Sequence, residues 1–259
     1  VGLHVIKFKI DFTPAETTEV PGFTVKFIKS LVINRDTSGL LKSLILEVGA
    51  NKPIQLSPVL LGSKALLSKS PTKLVRGTRY SIRLGVVCDE ELLESVSNSV
   101  THLLDGIADV LSIEVTSEVL ESINKAPKEF RVRVITPAVI KARDSTLVKY
   151  PTLKELISSP IKVLGRVLWE KYSINIPTTW AWRMSSYYVM TEASSKVVRV
   201  DLGDGRVVEG VVGTWGFRKV ANPPKYLEAV LGKVLTIANA VGIGKSRAIG
   251  FGVTDVIKD

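Results

Sequence analysis

The densest group of residues able to hold a ligand is the segment 242–252, which reads GIGKSRAIGFG. Its GxG and GKS fragments invite a nucleotide-binding reading. A phosphate-binding loop, however, follows a strand, opens a helix and carries GxxxxGK[ST], so that backbone N–H groups and the helix end surround the phosphate. Here Asn239 stands where the leading glycine belongs, and a helical pattern precedes the segment while a strand pattern follows it. What remains is a backbone-rich connection. Gly242, Gly244, Gly250 and Gly252 permit positive φ and close approach, Lys245 and Arg247 supply cations, and Ser246 supplies a hydroxyl donor. Such a connection can embrace a nucleic-acid backbone; its plainer reading is a tight helix-to-strand turn with exposed charges. Two histidines and a single cysteine in 259 residues argue against a protein-built zinc site and exclude a disulfide within the chain. His4 falls on the apolar face of a strand pattern and His102 late in an amphipathic helix, so both read as structural.

The charge distribution says what such a loop would meet. Lys plus Arg number 35 against 25 Asp plus Glu, a formal net charge of +10. Residues 1–83 hold 13 basic and 5 acidic residues, residues 84–126 hold 1 and 9, and the remainder 21 and 11. A basic face apart from an acidic one is therefore expected. Basic faces attract polyanions because neutralising phosphates releases condensed counterions; an anionic membrane or an acidic protein would be other partners. With 45% hydrophobic residues the chain reads as folded, not as a basic tail. No apolar run reaches 18 residues, and the opening VGLHVIKFKIDF alternates like a strand and lacks the features of a signal peptide. A cytoplasmic protein without a membrane segment is the expectation.

The elements that must position these residues follow from periodicity. Leu3–Phe12 alternates His4, Ile6, Phe8, Ile10 and Phe12 against Lys7, Lys9 and Asp11, a half-buried strand. Residues 21–48 fit a helix opened by Pro21 or extended structure, with a turn at Asn34–Gly39. Strands are expected at Ile54–Leu56 and Arg79–Val87, a helix at Asp89–Leu104 with acidic residues at its start, and a strand over Asp109–Leu120. After a linker at Asn124–Lys128, a strand Glu129–Thr136 is expected to stop at Pro137. A helix over Pro151–Tyr172 interrupted near Pro160, a hairpin Lys196–Leu202 and Arg206–Gly213 turning at Gly203-Asp204-Gly205, a helix from Leu227 to Val241 and a strand Val253–Ile257 complete the chain. The order is β-α-β-β-α-β, twice. That is an α+β fold of tandem ferredoxin-like (RRM-like) domains, with an N-terminal domain over 1–124 and a C-terminal domain with the glycine-rich loop over 129–259.

With this order in place, GIGKSRAIGFG resembles the C-terminal glycine-rich loop of the RAMP superfamily of CRISPR systems. The segment FRVRVITP, Phe130 to Pro137, resembles the opening of the second domain in the Cas6 branch, the endoribonucleases that process CRISPR precursor RNA. The resemblance implies a metal-independent cut within repeats: a 2′-hydroxyl attacks the adjacent phosphate, leaving a 2′,3′-cyclic phosphate and a 5′-hydroxyl. It implies no cofactor, CRISPR repeat RNA and processed crRNA as partners, and a CRISPR effector complex or a homodimer as further associations. Many members carry a catalytic histidine in or near the first helix, and residues 13–60 here hold none. The chain is similar in this to archaeal members that use clustered lysines. Carried over, that places the catalytic role on Lys29 and Lys52, with Lys26 in support. A lysine acts as a base at neutral pH only when desolvated or held near another cation.

Other cations read as binding groups: Arg131 and Arg133 on one strand face, Arg183 beside Trp180 and Trp182, and Arg218 beyond Trp215 and Phe217. Charge next to an aromatic combines phosphate contact with base stacking, although each of these rings, like Tyr187 and Tyr188, also fits a core or an interface. Two alternatives stand beside the nuclease. One is a non-catalytic RNA-binding RAMP subunit of a CRISPR effector complex, the other a ferredoxin-like structural or protein-interaction module.

Overall fold

The computed structural model describes residues 2–49, 51–142, 144–203 and 205–258, so Asp204 of the expected hairpin turn lies outside the described residues. In chain order the elements are β1 (Leu3–Pro14), β2 (Thr18–Val20), α1 (Val25–Arg35), α2 (Leu40–Leu46), β3 (Ile54–Leu56), β4 (Leu60–Leu61), β5 (Lys64–Ala65), β6 (Thr72–Leu74), β7 (Tyr80–Asp89), α3 (Leu93–Thr101) and β8 (Ala108–Val119). The second half follows with β9 (Glu129–Ala138), α4 (Leu153–Tyr172), α5 (Trp180–Ser185), β10 (Tyr188–Asp201), β11 (Val207–Lys219), α6 (Lys225–Val241) and β12 (Thr254–Lys258).

Two antiparallel sheets organise the molecule. The first has the order β5-β4-β7-β1-β8, with β3 also on β7; the second has the order β10-β11-β9-β12. Counting only the major strands of each half, both sheets place them in the order fourth, first, third, second, the ferredoxin-like arrangement expected from the element order. β1 buries Ile6, Phe8, Ile10 and Phe12 as its alternation requires. Asp11 breaks the pattern: it is buried because Arg79 and Ser112 both donate to its Oδ2, at 2.6 and 3.2 Å.

Four expectations change. Residues 21–48 form two helices, with the turn confined to Asp36–Gly39. The helix expected from Asp89 begins at Leu93, because Asp89 still belongs to β7 opposite Leu3; the apolar stripe Val96, Val100, Leu103 and Leu104 is buried nonetheless. α4 runs unbroken through Pro160. A proline inside a helix costs about 3 kcal/mol, and the buried stripe Leu156, Ile157, Ile161, Val163 and Leu164 outweighs it. β9 continues past Pro137 although it lies between β11 and β12. The register shifts opposite Val134–Ala138, and the ladder with β12 covers only Phe130–Val134, so the missing N–H interrupts no regular pairing.

The halves interlock. α6 is apolar nearly all round because it lies against β1 and β7 of the first sheet as well as β12 and α4 of its own half. Gly85 of β7 makes this approach, since a Cβ there would stand 1.8 Å from the Ala240 carbonyl oxygen. In return, the far end of the β10–β11 hairpin inserts Val200 and Leu202 into the core beneath α1, together with Phe251.

Candidate active site and nucleic-acid interface

α1 turns Val25, Ile28, Leu31 and Val32 into the core at helical spacing, which leaves Lys26 and Lys29 on its outer side. Lys26 reaches away to the second half, where its Nζ donates to the Leu202 carbonyl at 2.8 Å. Lys52 lies just before β3, with its Nζ donating to the Ile45 carbonyl at 2.8 Å. Burial lowers the Lys52 pKa; Glu47 opposes this, and the charges of Lys29 and Arg166 add to it. Lys29 and Lys52 thus share one electrostatic field.

Lys52 forms part of a cleft of about 640 Å³ between the two halves. Facing it are Lys141 after β9, Ser158, Ser159 and Lys162 on α4, and Lys245, Ser246 and Arg247 of the glycine-rich connection. Lys141, Lys162 and Lys245 are exposed, and none has a side-chain partner among the described residues. One carboxylate joins the lining, Glu155, and it is committed to the start of α4, where it accepts the Thr152 N–H at 2.9 Å. Lys141, Lys162 and Ser159 went unremarked in the sequence. Lys162 carries a signal in retrospect, as it follows Ser159 by three positions and so shares its helix face. Nothing in the chain order, however, says that this face meets the glycine-rich connection.

That connection is built from its own hydrogen bonds. The N–H groups of Gly242, Gly244, Gly250 and Gly252 donate to Ala238 O, Ser159 Oγ, Arg247 O and Pro137 O at 3.0, 2.7, 3.1 and 3.0 Å. Lys245 donates its N–H to Val139 O at 2.9 Å and leaves its side chain outside. Gly250, at φ 91°, packs against α1: a Cβ would meet Val25 Cγ2 at 2.2 Å. Ser246 adopts φ 62° and is exposed. Arg247 lies inside, 5% exposed, with Nη1 donating to Ser159 Oγ and Nη2 to the Lys52 carbonyl, both at 3.1 Å. Burial lowers its pKa to about 10, so it stays charged at neutral pH. Gly244 and Arg247 therefore line the cleft, Gly242, Gly250 and Gly252 are buried in the fold, and Lys245 and Ser246 face outward.

The remaining cations are spread over other surfaces. Arg133 donates to Asp255 Oδ2 at 2.9 Å, while Lys7 and Arg83 hold Asp255 Oδ1 at 2.8 and 2.6 Å. Burial pulls the Asp255 pKa up, but these three cations hold it far below the usual carboxylate range. Arg131 lines a shallow depression of about 390 Å³ with Glu129, Thr191 and Glu192. Arg183 and Trp182 are exposed on α5, and Trp180 packs on Tyr226 with ring centroids 5.3 Å apart. Tyr187 is half-buried, Arg218 is exposed, and Trp215, Phe217 and Tyr188 are core residues. His4 Nδ1 faces Ser117 Oγ at 3.2 Å and His102 Nδ1 faces Asp105 Oδ2 at 2.8 Å; neither lines the cleft. Burial pushes the Cys88 thiol up to about 11. Among the described residues no three His, Cys, Asp or Glu side chains converge in a way that could hold a metal ion. No helix is long and apolar enough to cross a membrane.

Comparison with solved structures finds the same fold over nearly the whole chain. Thermus thermophilus Cas6 aligns with a TM-score of 0.65 at 14% identity, over 99% of this chain and 100% of that one. A Cas6 product complex gives 0.65 at 11%, over 98% and 99%. The protein of a Cas6-related gene from Pyrococcus furiosus gives 0.61 at 11%, over 98% and 99%. At such identities the likeness is one of fold. A comparison with curated proteins finds no match. Residues 132–254, which run from β9 through the glycine-rich connection into β12, match the family model described as CRISPR-associated endoribonuclease Cas6. The second half of the chain is thus similar in sequence to the Cas6 family, and the chain as a whole shares the fold of solved Cas6 structures.

Proposed function

We propose that this protein is a metal-independent endoribonuclease that cuts CRISPR precursor RNA within its repeats, at the cleft between the halves 1–124 and 129–259. The observation that carries the reading is the meeting of Lys52, electrostatically coupled to Lys29, with three lysines that have no side-chain partner among the described residues. RNA processing is supported by the neighbours: solved structures of the same fold are described as a Cas6 product complex and a Cas6 substrate mimic complex.

In this reading the 2′-oxygen of the RNA bonds to the adjacent phosphorus as the bond from phosphorus to the 5′ oxygen breaks. The products are a 2′,3′-cyclic phosphate and a 5′-hydroxyl. Lys52, whose ammonium form burial and Lys29 disfavour, takes the 2′ proton after releasing the Ile45 carbonyl, and Lys29 protonates the leaving oxygen. Lys141, Lys162 and Lys245 offset the charge that grows on the phosphate. Lys26, whose Nζ donates to the Leu202 carbonyl, and the exposed Arg131, Arg183, Arg218 and Ser246 extend the contact to flanking nucleotides. The reaction belongs in the cytoplasm, with crRNA passed to a CRISPR effector complex.

The test is cleavage of an end-labelled repeat RNA in EDTA, beside a copy carrying a 2′-deoxy group at the mapped cut. One discrete cut, lost in the deoxy substrate, is the expected result; a cut that survives it overturns the mechanism. Because neither histidine lines the cleft, a non-catalytic RNA-binding subunit is the second reading, selected by tight, salt-sensitive binding without cutting.

A further inference from the structure

Arg247 is a buried guanidinium with no carboxylate partner among the described residues. Burying a cation without a counter-charge is costly, and a residue in a loop that served only as a turn would more simply be apolar. Its two hydrogen bonds run in a particular direction. One goes to Ser159, which also accepts the Gly244 N–H at 2.7 Å, so α4 and the glycine-rich connection are tied at a single hydroxyl. The other goes to the backbone carbonyl of Lys52, in the opposite half of the molecule. Lys52 is then held twice, its carbonyl by Arg247 and its ammonium by Ile45. The segment before it, Gly49 and Asn51, is exposed or half-buried chain between α2 and β3 without regular structure of its own. A planar guanidinium can bridge two fixed acceptors, where a lysine would reach one of them.

We propose that Arg247 is a positioning residue that holds Lys52 in register with the cleft, acting through the Lys52 carbonyl and not through contact with RNA. The inference rests on the reading of Lys52 as part of the cutting site. Small displacements of a catalytic group cost on the order of 10²-fold in rate, so the effect is expected in the cleavage step and not in affinity. Lys52 lines the cleft from a backbone that Arg247 fixes against the second half; without that tie the side chain keeps its chemistry and loses its address.

The experiment is a double-mutant cycle in single-turnover cleavage, with RNA affinity and thermal melting measured on every variant. Arg247→Met is expected to slow cleavage ~10- to 100-fold while changing RNA affinity less than about threefold. In a Lys52→Ala background the same change is expected to do nothing further, because the group it positions is gone. Arg247→Lys keeps the charge but cannot span Ser159 and Lys52, so it is expected to remain slow. Ser159→Ala removes one anchor without leaving a buried cation wholly unpaired, and it decides the matter if Arg247→Met melts too low to assay: a slowdown present beside Lys52 and absent in Lys52→Ala is expected. Wild-type rates in Arg247→Met or, where that variant cannot be assayed, in Ser159→Ala would overturn the proposal. Full recovery in Arg247→Lys, or losses that multiply in the double variant, would do the same. Full cleavage by Lys52→Ala would instead defeat the reading of Lys52, which separates the two failures.

Discussion

Two basic clusters lie between the halves of this molecule, and they differ in what balances them. In one, Lys7, Arg83 and Arg133 close on the single carboxylate of Asp255, which joins β1 and β7 of the first sheet to β9 and β12 of the second. In the other, Lys52, Lys141, Lys162 and Lys245 meet around a cleft, with the charge of Lys29 acting on Lys52, and the one carboxylate in the lining among the described residues is held by the cap of α4. The first cluster spends much of its charge inside the fold and acts as a clamp. The second keeps its charge for something from outside. Counting positive residues would not separate the two; asking which of them already have anions does.

The sharpest way to break that contrast is Lys52→Ala. Loss of a group that stabilises the transition state is expected to cost ~10²- to 10³-fold in single-turnover cleavage, with melting unchanged within a degree or two. A comparable collapse in melting would place Lys52 with the clamp instead. Next comes Asp255→Asn, which leaves three cations facing one another. The expected loss is about 2–3 kcal/mol of stability, read by denaturant unfolding, with cleavage per folded molecule retained. The same carboxylate sets a pH dependence. Its pKa is depressed in the folded protein, so its contribution is fully present above the ordinary aspartate value of ~3.9 and is lost as the pH falls below it. Asp255→Asn should flatten that part of an acid-unfolding curve.

Gly250→Ala tests the seating of α1 on the glycine-rich connection. The positive φ and the contact with Val25 together predict a loss of about 1–3 kcal/mol, seen in melting and in cleavage alike. The smallest effect belongs to Lys141, Lys162 and Lys245 taken singly. Each alanine variant should reduce the slope of log affinity against log salt by ~0.7 on single-stranded RNA, while removal of Lys7 should leave the slope nearly unchanged. Equal slopes for all four would erase the distinction between the clusters.

The strand pattern of β1, the stripe of α3 and the doubled element order were legible because each depends on neighbours close in sequence. The continuity of α4 through Pro160 and of β9 through Pro137 was not, since burial on α4 and a register shift against β11 are tertiary facts. The cleft divides in the same way. Lys29 and Lys52 came from a family likeness, whereas Lys162 and Ser159 acquire meaning only when α4 docks on residues more than 80 positions later. The four glycines and Arg247 read as open ligand-binding groups, because the sequence displays their chemistry but not the internal partners that consume it.

The hairpin that carries Val200 and Leu202 beneath α1 gives the protein a timetable. A ribosome delivers α1 and its lysines long before it delivers the residues that complete the core under them, and Phe251 comes later still. Burying two such side chains contributes roughly 1.5–3 kcal/mol each, a large share of the margin on which a domain folds. A nascent chain, or one broken off before the hairpin, therefore carries Lys26 and Lys29 on a helix whose core still lacks Val200, Leu202 and Phe251. The core under α1 is complete only once the chain has been made as far as Phe251.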